Sequence, residues 1–371
     1  MAGFVIKATR RLKILRRARR AEVCRLDRRG ASGYKTKQHI LKQRRSDSMT
    51  EIDLDKEPPV LVYNDDVLLN YSFNISLYSL DMSTPQQKEA VLAIFDEYAA
   101  LYGSRMNWTT NPVSGKFKHI RGKVDGYLLP DEWLMEEPKE NGIDILFHGG
   151  ETIWDSSDVV FMAKAASSNS SKISTISCRF PIADARSGKL NLPELMQRWC
   201  ALLKPHHARG GYSAGWWYEG AYSLAADINA RLMDQLMFYP GLQFDGTLSE
   251  LLYNYTKHSG LHDGPRCADW LIALSDPFLE KLGGLDAVTE AMRPCPVLPY
   301  EGGAVLQAGD APGLGKDGDP ASLPDYLHLG RVIEPVRAKN LHNIICVSTT
   351  SQYECSQELT DKWCTRFSGG K

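Results

Sequence analysis

Leu69-Asn70-Tyr71-Ser72-Phe73-Asn74-Ile75-Ser76-Leu77 alternates apolar and polar side chains without a break. Successive side chains of a strand point to opposite faces, so Leu69, Tyr71, Phe73, Ile75 and Leu77 share one face and the Asn and Ser residues the other. The stretch predicts a half-buried strand. A helix start follows at Thr84-Pro85-Gln86-Gln87: Thr84 suits the N-cap, Pro85 the first helical position, and Gln87 completes a capping box. Val91, Leu92, Phe95, Tyr98 and Leu101 continue at helical spacing, and Gly103 is placed to end the helix.

Working outward, residues 104–150 are turn-rich with short apolar runs such as Ile143–Phe147, and 158–164 and 172–180 predict strands. Leu192-Pro193-Glu194 opens a helix through Leu195, Trp199, Leu202 and Leu203. Leu224, Ile228, Leu232 and Leu236 mark another, stopped by Tyr239-Pro240-Gly241. Asp269–Leu274, Ala304–Ala308 and Ile344–Val347 predict strands. Pro277–Leu282, Leu285–Met292, 324–337 and 357–367 predict helices, the first two split by Gly283-Gly284. There is no regular βαβ spacing. The expected fold is α+β, a mixed, mostly antiparallel sheet flanked by helices.

Charge divides the chain. Residues 1–48 hold 16 Lys/Arg against 3 Asp/Glu, a balance of +13, while the remainder holds 28 basic and 42 acidic residues, a balance of −14. The composition changes at Met49, so 1–48 is expected to be a basic extension, disordered or not translated, and 49–371 an acidic globular domain of one or two sub-lobes. A nucleic-acid arm, a targeting peptide or a membrane-surface helix is the alternative for the head. Its basic residues never give way to an apolar run, so a secretory signal is not expected. An acidic body should avoid nucleic acid and attract basic protein partners. Eight Cys without a CxxC pair read as buried or inert thiols, and the cytoplasm is the expected location.

Catalytic motifs fail on detail. Gly309–Asp317 has five residues, not four, before its Gly-Lys pair, and Asp317 stands where a phosphate loop needs Ser or Thr. Pro130-Asp131 with Glu137-Pro138-Lys139 superficially matches a nuclease signature, but Pro138 disfavours the strand that chemistry uses. His206-His207 reads as a solvated helix end, and His258 with His262 as a glycine-interrupted loop. An enzyme with a cleft containing His206, His207 or His258 is the alternative function. No cofactor and no metal site is implied.

Two stretches suit binding. Asp125–Glu140 carries six acids around Tyr127, Trp133 and Met135, with Lys139 its one base. It is either a solvated loop with one aromatic tucked inward or an acidic rim around an aromatic anchor. Tyr212–Tyr218 places Trp216 and Trp217 on opposite strand faces, one in the core and the other exposed, either merely solvated or at an interface. The expected binding residues are Asp131, Glu132, Trp133, Glu136, Glu137, Trp216 and Tyr218.

Tyr239-Pro240-Gly241-Leu242, Asp269-Trp270-Leu271, Leu282-Gly283-Gly284-Leu285 and Gly302–Gly309 with Pro312, Leu314 and Gly315 occur in an order that resembles a bacterial type VI secretion immunity family. The helix Leu323–Arg337 is similar in place and character, and the resemblance spans about 60–367. It implies a protein encoded beside a nuclease toxin of the VRR-NUC or restriction-endonuclease-like kind, which it binds and blocks. It implies no catalytic residues. Gly283-Gly284 would be a break between helices and Gly302-Gly303 a strand entry.

Overall fold

The computed structural model describes residues 61–63, 66–110, 117–120, 143–165, 173–216, 232, 234–245, 261–339, 341 and 357–368. All belong to one compact unit, Leu54–Lys371. The proposed boundary at 48/49 and the expected strand at 344–347 lie outside the described residues.

The strands are β1 (Leu61–Tyr63), β2 (Asp66–Ser79), β3 (Trp108–Thr110), β4 (Phe117–His119), β5 (Asp144–His148), β6 (Val160–Lys164), β7 (Ser174–Phe180), β8 (His207–Trp216), β9 (Gln243–Asp245), β10 (Leu271–Ser275), β11 (Val297–Tyr300) and β12 (Gly303–Gln307). They form one sheet in the order β11-β12-β10-β8-β2-β7-β6-β5-β3-β4, with β1 on β2 and β9 on β8. Every pairing is antiparallel except β8 with β9. The helices are α1 (Pro85–Tyr102), α2 (Ile182–Arg186), α3 (Leu192–Leu203), α4 (Asp276–Lys281), α5 (Leu285–Met292), α6 (Pro324–Ile333) and α7 (Gln357–Thr365). The expected α+β class, an antiparallel sheet flanked by helices, is the observed one.

β2 is the centre of the sheet. Its Leu69, Phe73, Ile75 and Leu77 are fully buried. Phe73 stacks edge-on against Phe180, its direct partner on β7, and against Tyr212 on β8. Phe180 in turn meets Tyr98 and Tyr102 of α1 and Trp199 of α3. Tyr98 and Trp199 are fully buried, so α1 and α3 close this face with aromatic rings.

The other face departs from the expected half-buried strand. Ser72, Asn74 and Ser76 are 1%, 1% and 0% exposed. Hydrogen bonding makes the burial of Asn74 and Ser76 tolerable: across the strands Asn74 Nδ2 donates to Ser177 Oγ at 2.8 Å and Ser76 Oγ to the same oxygen at 3.4 Å, and within β2 Ser76 Oγ donates to Asn74 Oδ1 at 2.7 Å, while the Ser72 hydroxyl has no partner among the described residues. Alternation in sequence reports chemistry on two faces; here both are interior.

Capping explains the helix starts. Thr84 accepts from the Gln87 backbone N–H, as expected, but the Gln87 side chain does not return to complete the box. Its Nε2 donates instead to Leu203 O, tying the start of α1 to the end of α3. Asn191 caps α3 by accepting from Glu194 N, and Lys204 ends it in the left-handed region at φ 47°. Gly103 ends α1 in ordinary helical geometry, and a 3₁₀ turn at Gly103–Arg105 follows.

Candidate functional site

The histidine pair occupies a different place from the expected solvated helix end. His207 opens β8, and both rings turn toward the segment after residue 260. His206 Nε2 lies 2.9 Å from His262 O, and His207 Nε2 2.9 Å from Leu261 O. A carbonyl only accepts, so each ring carries its proton on Nε2. Tyr78 stacks on His207 and Phe278 on His206, at 4.7 Å between centroids in both cases. Burial pushes His207 down to about 3, with His206 adding repulsion, and burial also lowers His206. The pair is therefore neutral near pH 7 and acts as a cross-link between β8 and the Leu261–Asp263 turn. A cavity of about 20 Å³ lies beside it, between Tyr78, Arg209, Cys267 and Trp363, room for about one water. His258 lies outside the described residues.

Among the described residues, no three His, Cys, Asp or Glu side chains come together as metal ligands, and no helix is long and apolar enough to cross a membrane. Cys178, Cys200, Cys267, Cys295 and Cys364 are buried. The glycine loop at 309–317 runs into a 3₁₀ turn at Pro320–Ser322 before α6, so no helix follows its lysine directly.

The acidic segment with Asp131, Glu132, Trp133, Glu136 and Glu137 lies outside the described residues, as does Tyr218. Trp216 is the last residue of β8, paired with Leu69; its side chain is outside the described set.

The described strands that precede and follow the acidic segment in sequence are β4 and β5, and Asn107 links them. Asn107 N donates to His148 O at 2.9 Å, and Asn107 O accepts from Ile120 N, just after β4, at 2.7 Å. Its side-chain amide donates to Gly149 O and Gly150 O at 3.1 and 3.0 Å. One residue thus fixes both the exit of β4 and the turn after β5.

That turn, 149–156, presents Trp154, which sequence reasoning did not single out. Asp155 is buried; its Oδ1 accepts from Val67 N at 2.8 Å and its Oδ2 from Thr152 N at 2.7 Å. Thr152 Oγ1 accepts from Trp154 N at 3.0 Å. A Cβ at Gly150 would crowd Asp155 Cβ and Thr152 O, so the turn needs glycine there. The available signal was Gly149-Gly150 followed by Thr152 and Asp155, residue types that bond their own backbone in turns.

Behind the turn, the buried Arg179 guanidinium donates to Ser156 Oγ at 3.2 Å and Ser157 O at 3.1 Å. Ser156 Oγ donates onward to Gly215 O at 2.7 Å. Burial, with repulsion from Arg179, lowers His148 to about 4. At the same end of the sheet, Arg105 closes an ion pair with Asp158 at 2.9 Å.

The TsiV family, described as type VI immunity for VRR-NUC, matches residues 90–367. Among solved structures, a Pseudomonas aeruginosa T6SS protein shares the architecture with a TM-score of 0.72 at 18% identity, over 89% of this chain and 90% of its own. At that identity the likeness speaks for the fold alone. No curated protein matches the chain.

Proposed function

The chain belongs to the TsiV family of type VI immunity proteins, and from that premise we propose that it binds a cognate nuclease toxin and neutralises it by occluding the DNA-binding or active site. The family match across 90–367 carries the reading. Charge supports it: a nuclease needs a positive surface for the phosphate backbone, and residues 49–371 carry a balance of −14. Such a body is steered toward a basic cleft and competes there with DNA. The toxin cuts DNA inside the cell, so the inhibitor acts in the cytoplasm. Residues 1–48 are dispensable for inhibition, and 49–371 is the binding domain.

Inhibition is stoichiometric and needs no catalysis by this chain. The Nε2 protons of His206 and His207 are already given to backbone carbonyls, which favours a structural role over an acid–base one. The test is to look for a nuclease gene beside this one and co-express the two; finding none counts against the reading. Growth is restored and a stable complex purifies if the reading holds. Continued killing, or two proteins that elute separately at micromolar concentration, rejects it.

A further inference from the structure

Trp154 is 39% exposed, the only aromatic among the exposed large hydrophobics of the described residues. Scattered exposed apolar residues need no explanation in general. This one is unusual in how its backbone is held. The preceding Thr152 accepts its N–H, and the following Asp155 carboxylate is divided between the turn and β2. Ser156 N then bonds Val67 O at 2.5 Å, and Gly149 N bonds Val159 O at 2.9 Å. The turn is thus tied at both shoulders to the sheet. A tip so fixed loses little freedom on binding, and tryptophan is the residue type most enriched where interfaces concentrate their energy.

The surroundings give the partner's chemistry. Glu151 is exposed three residues before Trp154 in the same turn. Asp158, just beyond it, is matched by Arg105, so the local cation is already engaged by a carboxylate. Leu101, 42% exposed, lies on the last turn of α1, the helix that leads into Arg105. An aromatic anchor with an exposed carboxylate beside it, on a body of net charge −14, fits an apolar slot flanked by Lys or Arg.

We infer that Trp154, presented by the 149–156 turn, is an anchor through which this protein docks on a basic face of its nuclease toxin. The inference rests on the immunity reading above. Trp154 fills the slot, and Glu151 meets the flanking cation.

The experiment measures binding of the full chain to the catalytically inactivated nuclease encoded beside it, for wild type, Trp154→Ala, Trp154→Phe and Glu151→Lys, with a thermal midpoint for each. Expected is a loss of affinity for Trp154→Ala of about 30-fold or more, the size of a hot-spot truncation, an intermediate loss for Trp154→Phe, and unchanged midpoints. Glu151→Lys, which touches none of the turn's bonds, is expected to weaken binding more at low salt than at high salt. If wild type binds and both Trp154→Ala and Glu151→Lys bind within twofold of it, the anchor is overturned while the immunity reading stands. If wild type itself does not bind, the immunity reading falls and takes the anchor with it. Should Trp154→Ala not fold, Trp154→Phe and Glu151→Lys decide alone by the same twofold criterion.

Discussion

Gly215 on β8 lies against the buried guanidinium of Arg179 on β7, and a Cβ added to it would fall inside that group. Gly215 O also accepts from Ser156 Oγ, which accepts from Arg179 in turn. The pair joins the centre of the sheet to the 149–156 turn. Gly215→Ala must displace a buried cation from its acceptors. The expected cost is about 1–3 kcal/mol, the range for overpacking a filled interior, read as a lower urea midpoint with an unchanged m-value. A midpoint equal to wild type would mean that the guanidinium can move freely.

Asp155 supports the turn through two backbone bonds, to Val67 N and Thr152 N. Asp155→Ala leaves the part-buried Val67 N–H without its acceptor, a loss of about 1 kcal/mol, toward the low end for an unmade hydrogen bond. The expected signature is local: faster amide exchange at Val67, Thr152 and Trp154, with β10 and β12 protected as before. Uniform loss of protection would show that the turn is part of the global folding unit.

The buried titrating groups set an acid sensitivity whose sign follows from their shifts. Burial holds His207 at about 3 and His148 at about 4, against 6.5 when unfolded. Between those values the unfolded chain binds the proton and the folded chain does not, so each histidine removes stability as pH falls below 6.5. Asp269 opposes them. Burial raises it from 3.8 to about 6 despite Arg209 nearby, so its contribution falls as pH rises from 3.8 to 6. His206, lowered by burial as well, acts on the same side as His207 and His148, so with Asp269 opposing them the balance is a net loss on acidification, at about 1.4 kcal/mol per pH unit for each proton of imbalance. Urea midpoints between pH 4.5 and 7.5 should fall toward acid. His207→Gln should flatten the slope and Asp269→Asn should steepen it. A slope unchanged by His207→Gln would assign the acid loss to other groups.

How much of this could be read from the chain alone depended on whether the deciding partner was local. Helix starts are local, so Thr84-Pro85 and Leu192-Pro193-Glu194 mark α1 and α3 where the structure has them. The alternation at 69–77 marked β2, but nothing nearby reveals that Ser72, Asn74 and Ser76 are interior. Ser177, which bonds Asn74 and Ser76, is about a hundred residues distant. His206-His207 misled for the same reason: the chain shows the end of α3 beside them, not the carbonyls of Leu261 and His262 that receive their protons. The prolines at 296 and 299 hid β11, which as an edge strand tolerates them. The glycine-rich order near the C-terminus, by contrast, carried the family. Gly283 and Gly302 adopt φ of 100° and 107°, conformations that side chains resist, so glycine is required where α4 gives way to α5 and where β12 begins.

The acidic segment is tested through kinetics, because charge acts before contact. Glu136 and Glu137 lie among six acids in Asp125–Glu140, in the part of the sequence that follows Ile120, whose backbone N–H is held by Asn107. If that segment faces the toxin, Glu136→Lys with Glu137→Lys places repulsion where attraction steered the encounter. Association with the inactivated toxin should then slow about tenfold or more at low ionic strength. The Debye length shrinks from about 30 Å at 0.01 M salt to about 3 Å at 1 M, so the difference should nearly vanish in high salt. Dissociation should change far less than association, since rim charges act mainly on the encounter. Stopped-flow fluorescence across that salt range separates the two rates. An association rate equal to wild type at low salt would remove the segment from the interface.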